Sequence, residues 1–362
     1  MTETTAATGL TVQQWDDKFF VEHVQQNRFA SSMGKDENAI IQIKEDLTKN
    51  KGDALTYALV NRLSGAGVLD GATLEGNEEE LDSRSFKLTI NERANGVRSN
   101  SWNNQISSID LRKAARMALK TWSMEDTRDR IIDALASING VGYGSASEPQ
   151  KDAWLVDNAD RALFGALVGN NGSNDHSAAL LNIDNTADKL TTGAASLMKR
   201  IARTANPKIR PIMSADSEGR FFYIMYVPSL VFRDLQADAT ITNAQRNVSL
   251  RMQNEKLFKG GDLEWDGIIF KEIEDIAVLS GVGAGGIDVA PVYLCGAQAV
   301  GYGIASRWKS AEETFDYGRK KGVAIMEMGG FEKMLFGSGS GDTDDLKDHG
   351  IVTGFFASVA DS

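Results

Sequence analysis

The most informative part of the sequence is a pair of strand-like runs, Leu55-Thr56-Tyr57-Ala58-Leu59-Val60 and Phe86-Lys87-Leu88-Thr89-Ile90-Asn91. The second run alternates apolar and polar residues, which is the pattern of a strand with one exposed face. Between the two runs lies the acidic segment Glu75-Gly76-Asn77-Glu78-Glu79-Glu80-Leu81-Asp82. We therefore predict one long hairpin over residues 54–98, whose arms of about 15 residues reach about 50 Å.

A hairpin of this length needs another surface, because an isolated two-stranded hairpin is only marginally stable in water. A neighbouring subunit is the natural candidate for that surface. Consecutive acids on an extended tip point to different sides, which favours a solvated tip or a charged partner on another chain over a cation site. The tip residues predicted to contact a neighbour are Glu75, Asn77, Glu78, Glu79 and Glu80.

An amphipathic helix is predicted before the hairpin, from Thr11 to Arg28. Thr11 and Gln14 fit a capping box, and apolar residues recur at helical spacing. Trp15 and Phe19 lie on the apolar stripe. A terminal helix of this kind also needs a surface to lie on, so we predict that Trp15 and Phe19 contact a neighbouring subunit.

The strongest helical segment follows the hairpin, from Ser107 to Ser137, with a kink or restart expected near Ser123. Apolar residues form a stripe at helical spacing along it. Four basic residues lie on the opposite face: Arg112, Lys113, Arg116 and Lys120. This basic face is either solvated or a salt partner for an acidic hairpin tip, and Arg112 and Arg116 are the candidates for the second role.

Shorter elements are predicted along the rest of the chain from periodicity and apolar runs. Helices are expected at about 157–168, 190–205 and 297–307, and strands at 220–232 with an interruption at Pro228, at 268–270, at 276–279 and at 350–357.

Composition limits the class of protein. The 362 residues suggest two domains, or one large domain with extensions. Lys plus Arg total 39 and Asp plus Glu total 50, so the net charge is −11. An acidic protein is a poor candidate for a DNA reader, since phosphate contacts need clustered cations. No apolar run approaches the 18 or so residues of a membrane-spanning helix, and the N-terminus does not resemble a signal peptide.

Little in the sequence indicates catalysis. A single cysteine, Cys295, excludes an intrachain disulfide and is expected to be buried. The three histidines, His23, His176 and His349, do not have metal-ligand spacing. We predict no catalytic residue, no metal and no cofactor.

The main alternative is an enzyme that binds a nucleotide or dinucleotide at Gly281–Gly286, which matches G-x-G-x-x-G. Such a site needs a helix immediately after the glycines, so that the helix N-terminus meets the pyrophosphate. The chain instead continues Ile287-Asp288-Val289-Ala290-Pro291, which is not a helix start. A flexible loop is therefore favoured there.

Five short motifs, in order, resemble those of a known family. They are Gly52-Asp53, Leu74-Glu75-Gly76-Asn77-Glu78-Glu79, Tyr226-Val227-Pro228 followed by Asp234-Leu235, Asp316-Tyr317-Gly318, and Asp348-His349-Gly350-Ile351-Val352. This order resembles the major capsid proteins of tailed bacteriophages, which have the HK97-like fold. The resemblance is greatest to the N-four-like podophage coat-protein family.

The resemblance implies an α+β, HK97-like fold. It divides the chain into an N-terminal arm (1–50), an extended hairpin loop (51–104), a peripheral domain (105–189) with a spine helix at 107–137, an axial domain (190–320) and a C-terminal return to the peripheral domain (321–362).

The implied function is a major capsid protein without catalysis, which assembles through pentamers and hexamers into an icosahedral shell around phage double-stranded DNA. The expected partners are other copies of the chain, a separate scaffolding protein and a portal, with DNA nearby only non-specifically and no membrane. The expected location is the virion, assembled in the cytoplasm of the host bacterium. A decoration or portal-adjacent protein is a third interpretation, which the hairpin and spine helix disfavour.

Overall fold

The computed structural model describes residues 28–45, 47, 52–60, 67–71, 73–76, 78, 83–107, 110–213, 220–247, 258–259, 262–337 and 346–359. These residues fold into two compact units. The smaller unit contains 92–127 and 306–328, and the larger contains 28–91, 128–305 and 329–359 among the described residues.

Among the described residues, helices and strands fall largely in separate stretches of the chain, as the α+β class predicts. The helices are α1 Ser101–Ile106, α2 Leu111–Ala136, α3 Glu148–Asp157, α4 His176–Leu181, α5 Thr192–Thr204, α6 Ser229–Ala237 and α7 Ala239–Asn247. The strands are β1 Met33–Gly34, β2 Ile41–Lys44, β3 Ala54–Val60, β4 Ser83–Thr89, β5 Asn91–Asn100, β6 Ala162–Phe164, β7 Ile212–Met213, β8 Phe221–Val227, β9 Phe258–Lys259, β10 Asp262–Trp265, β11 Ile268–Glu272, β12 Val289–Cys295, β13 Val300–Phe315, β14 Lys320–Lys333, β15 Leu335–Gly337, β16 Leu346–Asp348 and β17 Ile351–Ala357. No described helix has both the length and the apolar character needed to cross a bilayer.

A mixed sheet forms the centre of the larger unit. Its strand order is β6-β17-β12-β8-β11-β10-β9, and β7 pairs with β8. β12 pairs antiparallel with β17 over seven residues, and every residue of both strands is buried. Strands that are apolar on both faces must be covered on both sides. The strongly apolar sequences of β12 and β17 therefore explain their central position.

The two faces of this sheet are covered by different helices. Val292 and Leu294 of β12 belong to a core cluster with α5 and α6. Tyr293 and Cys295, which alternate with them, belong to a cluster with the C-terminal part of α2. The thiol of Cys295 is buried, as predicted. Thr191 caps α5, since its hydroxyl accepts a hydrogen bond from the Ala194 N–H at 3.3 Å.

Helix α2 begins four residues later than predicted and runs without interruption through Ser123. The predicted restart at Ser123 is wrong. The Ser123 hydroxyl donates to the Lys120 carbonyl at 2.8 Å, and the Thr127 hydroxyl donates to the Ser123 carbonyl at 2.8 Å. Both side chains therefore bond to carbonyls of the helix itself and do not cap a new one.

Residues 306–315 of β13 and 320–328 of β14 form the sheet of the smaller unit, and β5 pairs with β14. Asp316, Tyr317 and Gly318 make the turn between the two strands, and all three have positive φ angles. The Tyr317 side chain is fully exposed there. The Arg98 guanidinium lies 4.3 Å from the centroid of the Phe315 ring and covers the end of β13.

The predicted arms of the long hairpin are wrong in length. β3 pairs with β4 over seven residues, from Ala54↔Thr89 to Val60↔Ser83. The chain then leaves the hairpin, and β5 joins the sheet of β14. Residues 91–98 therefore belong to a separate strand.

Three of the shorter predicted elements are also wrong, and the part of the predicted 220–232 strand that follows Pro228 is instead the start of helix α6. Residues 300–315 form strand β13 where a helix was expected, since Gly301 and Gly303 are poor helix formers and allow close packing in a sheet. Within 157–168, β6 pairs in parallel with β17 and no helix forms. Residues 276–279 contribute only a bridge between Leu279 and Val289. The five-part division of the chain stays a prediction.

Candidate inter-subunit surfaces

The root of the β3–β4 hairpin is fixed to the larger unit by an apolar cluster. Leu55 and Tyr57 of β3 and Leu88 of β4 are buried with Met334 and Phe336. Period-2 alternation places Leu55 and Tyr57 on one face of β3, while Thr56 and Ala58 are exposed. One face of the hairpin root is therefore buried and the other faces solvent.

Glycines on the underlying strands make this close packing possible. A Cβ at Gly303 would lie 2.7 Å from Cδ2 of Leu88 and 2.8 Å from Cδ1 of Leu55. A Cβ at Gly330 would lie 2.1 Å from the backbone oxygen of Thr89. We call the surface formed by Gly303 and Gly330 the hairpin seat. Sequence reasoning missed it.

The described part of the hairpin tip is exposed and carries both apolar and acidic side chains. Leu69 is 76% and Leu74 is 62% exposed. Glu75 and Glu78 are exposed beside them. The Glu78 carboxylate accepts a hydrogen bond from the Gly76 N–H at 2.7 Å, which closes a local turn.

Several predicted contact residues lie outside the described residues. At the tip these are Asn77, Glu79 and Glu80, and in the predicted arm helix they are Trp15 and Phe19. Contacts for these five residues stay predictions.

Arg112 and Arg116 of α2 make ion pairs within the smaller unit. Both guanidiniums contact the Glu312 carboxylate of β13, and Nε of Arg116 lies 2.9 Å from its Oε1. Hydrogen bonds from Arg116 and then Arg112 lower the pKa of Glu312. These two arginines are therefore not simply solvated, and their contact with a tip on another chain stays a prediction. Sequence reasoning missed Glu312 because it lies 196 residues from Arg116.

A groove of about 400 Å³ lies beside this ion pair, between α2 and strands β13 and β14. Leu119 and Val323 are buried at its floor, and the Trp308 ring lies edge-on to Trp122 at 5.9 Å. The groove is lined at its rim by charged side chains. These are Arg116, Lys120, Lys309 and Glu312.

The glycine-rich loop at Gly281–Gly286 does not have the geometry of a dinucleotide site. The chain passes from the loop into strand β12, so no helix N-terminus follows the glycines. The Gly283 N–H donates to the Ile287 carbonyl at 2.9 Å, and the Gly281 N–H donates to the Asp288 carboxylate at 2.9 Å. Two of the amides that a phosphate would need are therefore used inside the loop.

The described histidines are packed among aromatic rings. The His176 ring is buried between Phe164, Phe355 and Tyr143, and its desolvation lowers the pKa. Burial also lowers the pKa of His349, which packs edge-on against Phe336. His23 lies outside the described residues. Among the residues that the structure describes, no three His, Cys, Asp or Glu side chains are placed to hold a metal ion.

The motif Asp348–Val352 has a packing role that the structure explains. The Asp348 carboxylate accepts from Lys333 Nζ at 2.8 Å and from Trp154 Nε1 at 3.2 Å, and both charged groups are buried. A Cβ at Gly350 would lie 2.7 Å from Cα of Ala299, so only glycine fits there. The motif anchors the start of β17.

Comparisons with known proteins agree with this architecture. The family model described as phage capsid protein matches residues 3–359. The major capsid protein of Pseudomonas phage KPP25 is 26% identical, in a match that covers 90% of this chain and 89% of that protein. The capsid of cyanophage Pam1 superposes with a TM-score of 0.88 at 32% identity, and that of Ralstonia phage GP4 with 0.76 at 20%. Each of these structural matches covers 100% of both chains.

The extent of these matches confirms the predicted α+β, HK97-like fold, and the family match spans the hairpin, α2 and the closing strand. The chain belongs to the phage capsid protein family.

Proposed function

We propose that this chain is the major capsid protein of a tailed phage and that its copies form an icosahedral shell through pentamers and hexamers. The observation that carries the proposal is the hairpin, whose root is buried on its seat while its tip exposes Leu69, Leu74 and acidic side chains. Exposed apolar groups next to charges are typical of protein interaction sites. Identical partners in closed symmetry satisfy every such tip at once.

The proposed role is structural and needs no catalysis. The hairpin tip, through Glu75, Asn77, Glu78, Glu79 and Glu80, reaches a neighbouring subunit, and Trp15 and Phe19 of the arm bind another. The basic face of α2 supplies cations for such a contact. Arg112 and Arg116 are oriented by Glu312 and remain partly exposed.

The wider partners in this proposal are a separate scaffolding protein, a portal and packaged DNA, with assembly in the cytoplasm of the host bacterium. A chain with a net charge of −11 repels DNA weakly, which lets DNA slide along the inner wall without sticking to it. DNA is therefore a neighbour by proximity and not a recognised ligand.

Negative-stain electron microscopy of the purified protein, with sedimentation, tests the proposal. Closed shells, tubes, or rings of five and six subunits are expected, and normal shells from the chain alone would argue against a separate scaffolding protein. A homogeneous monomer or dimer that no scaffolding partner converts into shells would contradict the proposal. Nucleotide binding at Gly281–Gly286 would then be measured next.

A further inference from the structure

We propose that a cavity beside the C-terminal end of α2 binds an uncharged, mainly apolar small molecule that carries one hydroxyl group, and that Thr353 bonds to this hydroxyl. The cavity lies within the larger unit and has a volume of about 440 Å³. The inference goes beyond the proposed function, because contacts between shell subunits do not require a small-molecule site.

Two neighbouring strands form the floor of the cavity. Thr353 and Phe355 of β17 line it together with Tyr293 and Pro291 of β12. The antiparallel register pairs Thr353 with Tyr293 and Phe355 with Pro291, and period-2 alternation places all four side chains on the same face. The central strand pair, and not a loop, therefore fixes the position of Thr353.

Thr353 is a polar residue in an otherwise apolar strand. The other residues of β17 are Ile, Val, Gly, Phe and Ala. Thr353 is only 5% exposed, and its Oγ1 is buried without a hydrogen-bond partner among the described residues. A buried hydroxyl without a partner costs free energy. A ligand oxygen that forms a hydrogen bond with Oγ1 would remove this cost.

The charged and titratable groups of the lining favour an uncharged ligand. Lys333 is buried there, and the Asp348 carboxylate already neutralises it at 2.8 Å. Asp133, the other charged residue among the described lining residues, is exposed. Burial raises the pKa of both Tyr143 and Tyr293, so their phenols stay neutral. A charge on the ligand would therefore be buried without a counter-charge, which is costly.

The walls and the volume define the rest of the ligand. Ile132, Leu135 and Ile276 line the cavity with the ring of Trp154, so burial of an apolar body is favourable. The volume of about 440 Å³ is typical of small-molecule sites, which span roughly 300–1,000 Å³. Water occupies about 30 Å³ per molecule, so the cavity has space for roughly 15 groups of that size. A bicyclic aromatic alcohol meets these requirements.

The probes 1-naphthol and naphthalene test the role of Thr353, because they differ only in the hydroxyl group. Equilibrium dialysis measures their binding to the dissociated full-length subunit and to Thr353→Val, which keeps the side-chain shape. We expect this variant to bind 1-naphthol about tenfold more weakly and naphthalene within about twofold of the unsubstituted subunit. Its melting temperature without probe should not fall, since the substitution removes a buried hydroxyl that has no partner.

A second pair of variants tests the location of the site. Ala277 lines the cavity and is exposed, so Ala277→Phe places a ring at the opening without altering the core. We expect it to weaken the binding of both probes about tenfold or more. Ala237→Phe, at an exposed position of α6, is the matched control and should leave the binding of both probes unchanged.

Three results would overturn the proposal. The first is that neither probe binds the unsubstituted subunit. The second is that Thr353→Val weakens 1-naphthol and naphthalene equally, which would mean that Thr353 only shapes the wall. The third is that the anion 1-naphthoate binds more tightly than 1-naphthol. Because binding is measured on the dissociated subunit, these results do not depend on whether the chain forms shells.

Discussion

At the scale of single residues, the ion pair between Lys333 and Asp348 is buried just before the start of β17. Both side chains are almost completely buried, and Lys333 Nζ also lies 5.6 Å from the Trp154 ring. Removing one member of a buried ion pair leaves the other charge without compensation. We expect Lys333→Met to lower the free energy of unfolding by about 3–5 kcal/mol, measured by urea denaturation of the dissociated subunit.

The double variant K333M/D348N is the control for this prediction. It removes both charges, so the loss should be clearly smaller than the sum of the losses from the two single variants. Additive losses would show that the two side chains act independently.

We expect His349 to make the stability of the subunit depend on pH. Burial, and then the nearby Arg161, lower its pKa to about 4, whereas the unfolded chain has an ordinary histidine pKa of about 6.5. Between these values the unfolded state binds more protons. The contribution of the neutral His349 ring to the free energy of unfolding is therefore complete above a pH of about 6.5. It is lost as the pH falls toward about 4, by up to about 3 kcal/mol.

The variant His349→Gln tests this dependence, because glutamine does not titrate. We expect the difference in unfolding midpoint between neutral and mildly acidic pH to shrink in the variant. Part of the dependence remains, since burial also lowers the pKa of His176. An unchanged pH profile would mean that His349 is not buried as a neutral ring.

At the scale of elements, the hairpin separates folding from assembly. Deleting residues 70–84 removes the exposed tip but leaves Leu55, Tyr57 and Leu88 in their cluster. We expect soluble, folded subunits that do not close into shells, as measured by sedimentation and electron microscopy. Normal shells from this variant would contradict the proposed role of the tip.

A length-matched control distinguishes the reach of the hairpin from its chemistry. Replacing residues 70–78 with glycine and serine keeps the chain length but removes Leu74, Glu75 and Glu78. This variant should also fail to assemble, because its tip has neither the apolar group nor the charges.

The hairpin seat provides a third test at this scale. Gly303→Val introduces a branched side chain where a Cβ alone would lie within 3 Å of two leucines, and overpacking of this kind costs about 1–3 kcal/mol. Hydrogen exchange should become faster in β3 and β4 while β12 and β17 stay protected. Gly142→Ala is the control, since a Cβ there meets nothing within 4 Å.

Elements defined by local patterns were predictable from the sequence. The stripe of α2, the alternation of β4 and the apolar run of β17 each depend on neighbouring residues. β13 was mistaken for a helix because its pairing with Ile41 and with β14 joins distant parts of the chain. The tip acids and the α2 arginines were identifiable from charge, but Glu312 and the groove floor come together only in the fold.

At the scale of the whole molecule, the subunit is proposed to gain stability from its neighbours. A partner that binds only the folded state stabilises it by mass action. We expect assembled shells to melt at a higher temperature than dissociated subunits in calorimetry. Subunits that lack residues 70–84 should melt at the temperature of unsubstituted dissociated subunits. Equal melting temperatures for shells and subunits would show that the contacts contribute little.

The antiparallel pairing of β3 with β4 also has a mechanical consequence. The hydrogen bonds between β3 and β4 run perpendicular to the strands over seven residue pairs. A pull on the tip along the strand axis is therefore carried as tension by the backbones of both strands and leaves these bonds largely unloaded, whereas a pull across the strands would open them one at a time. We expect a neighbour that is held at the tip and pulled along this axis to separate at the contact surface before the hairpin opens.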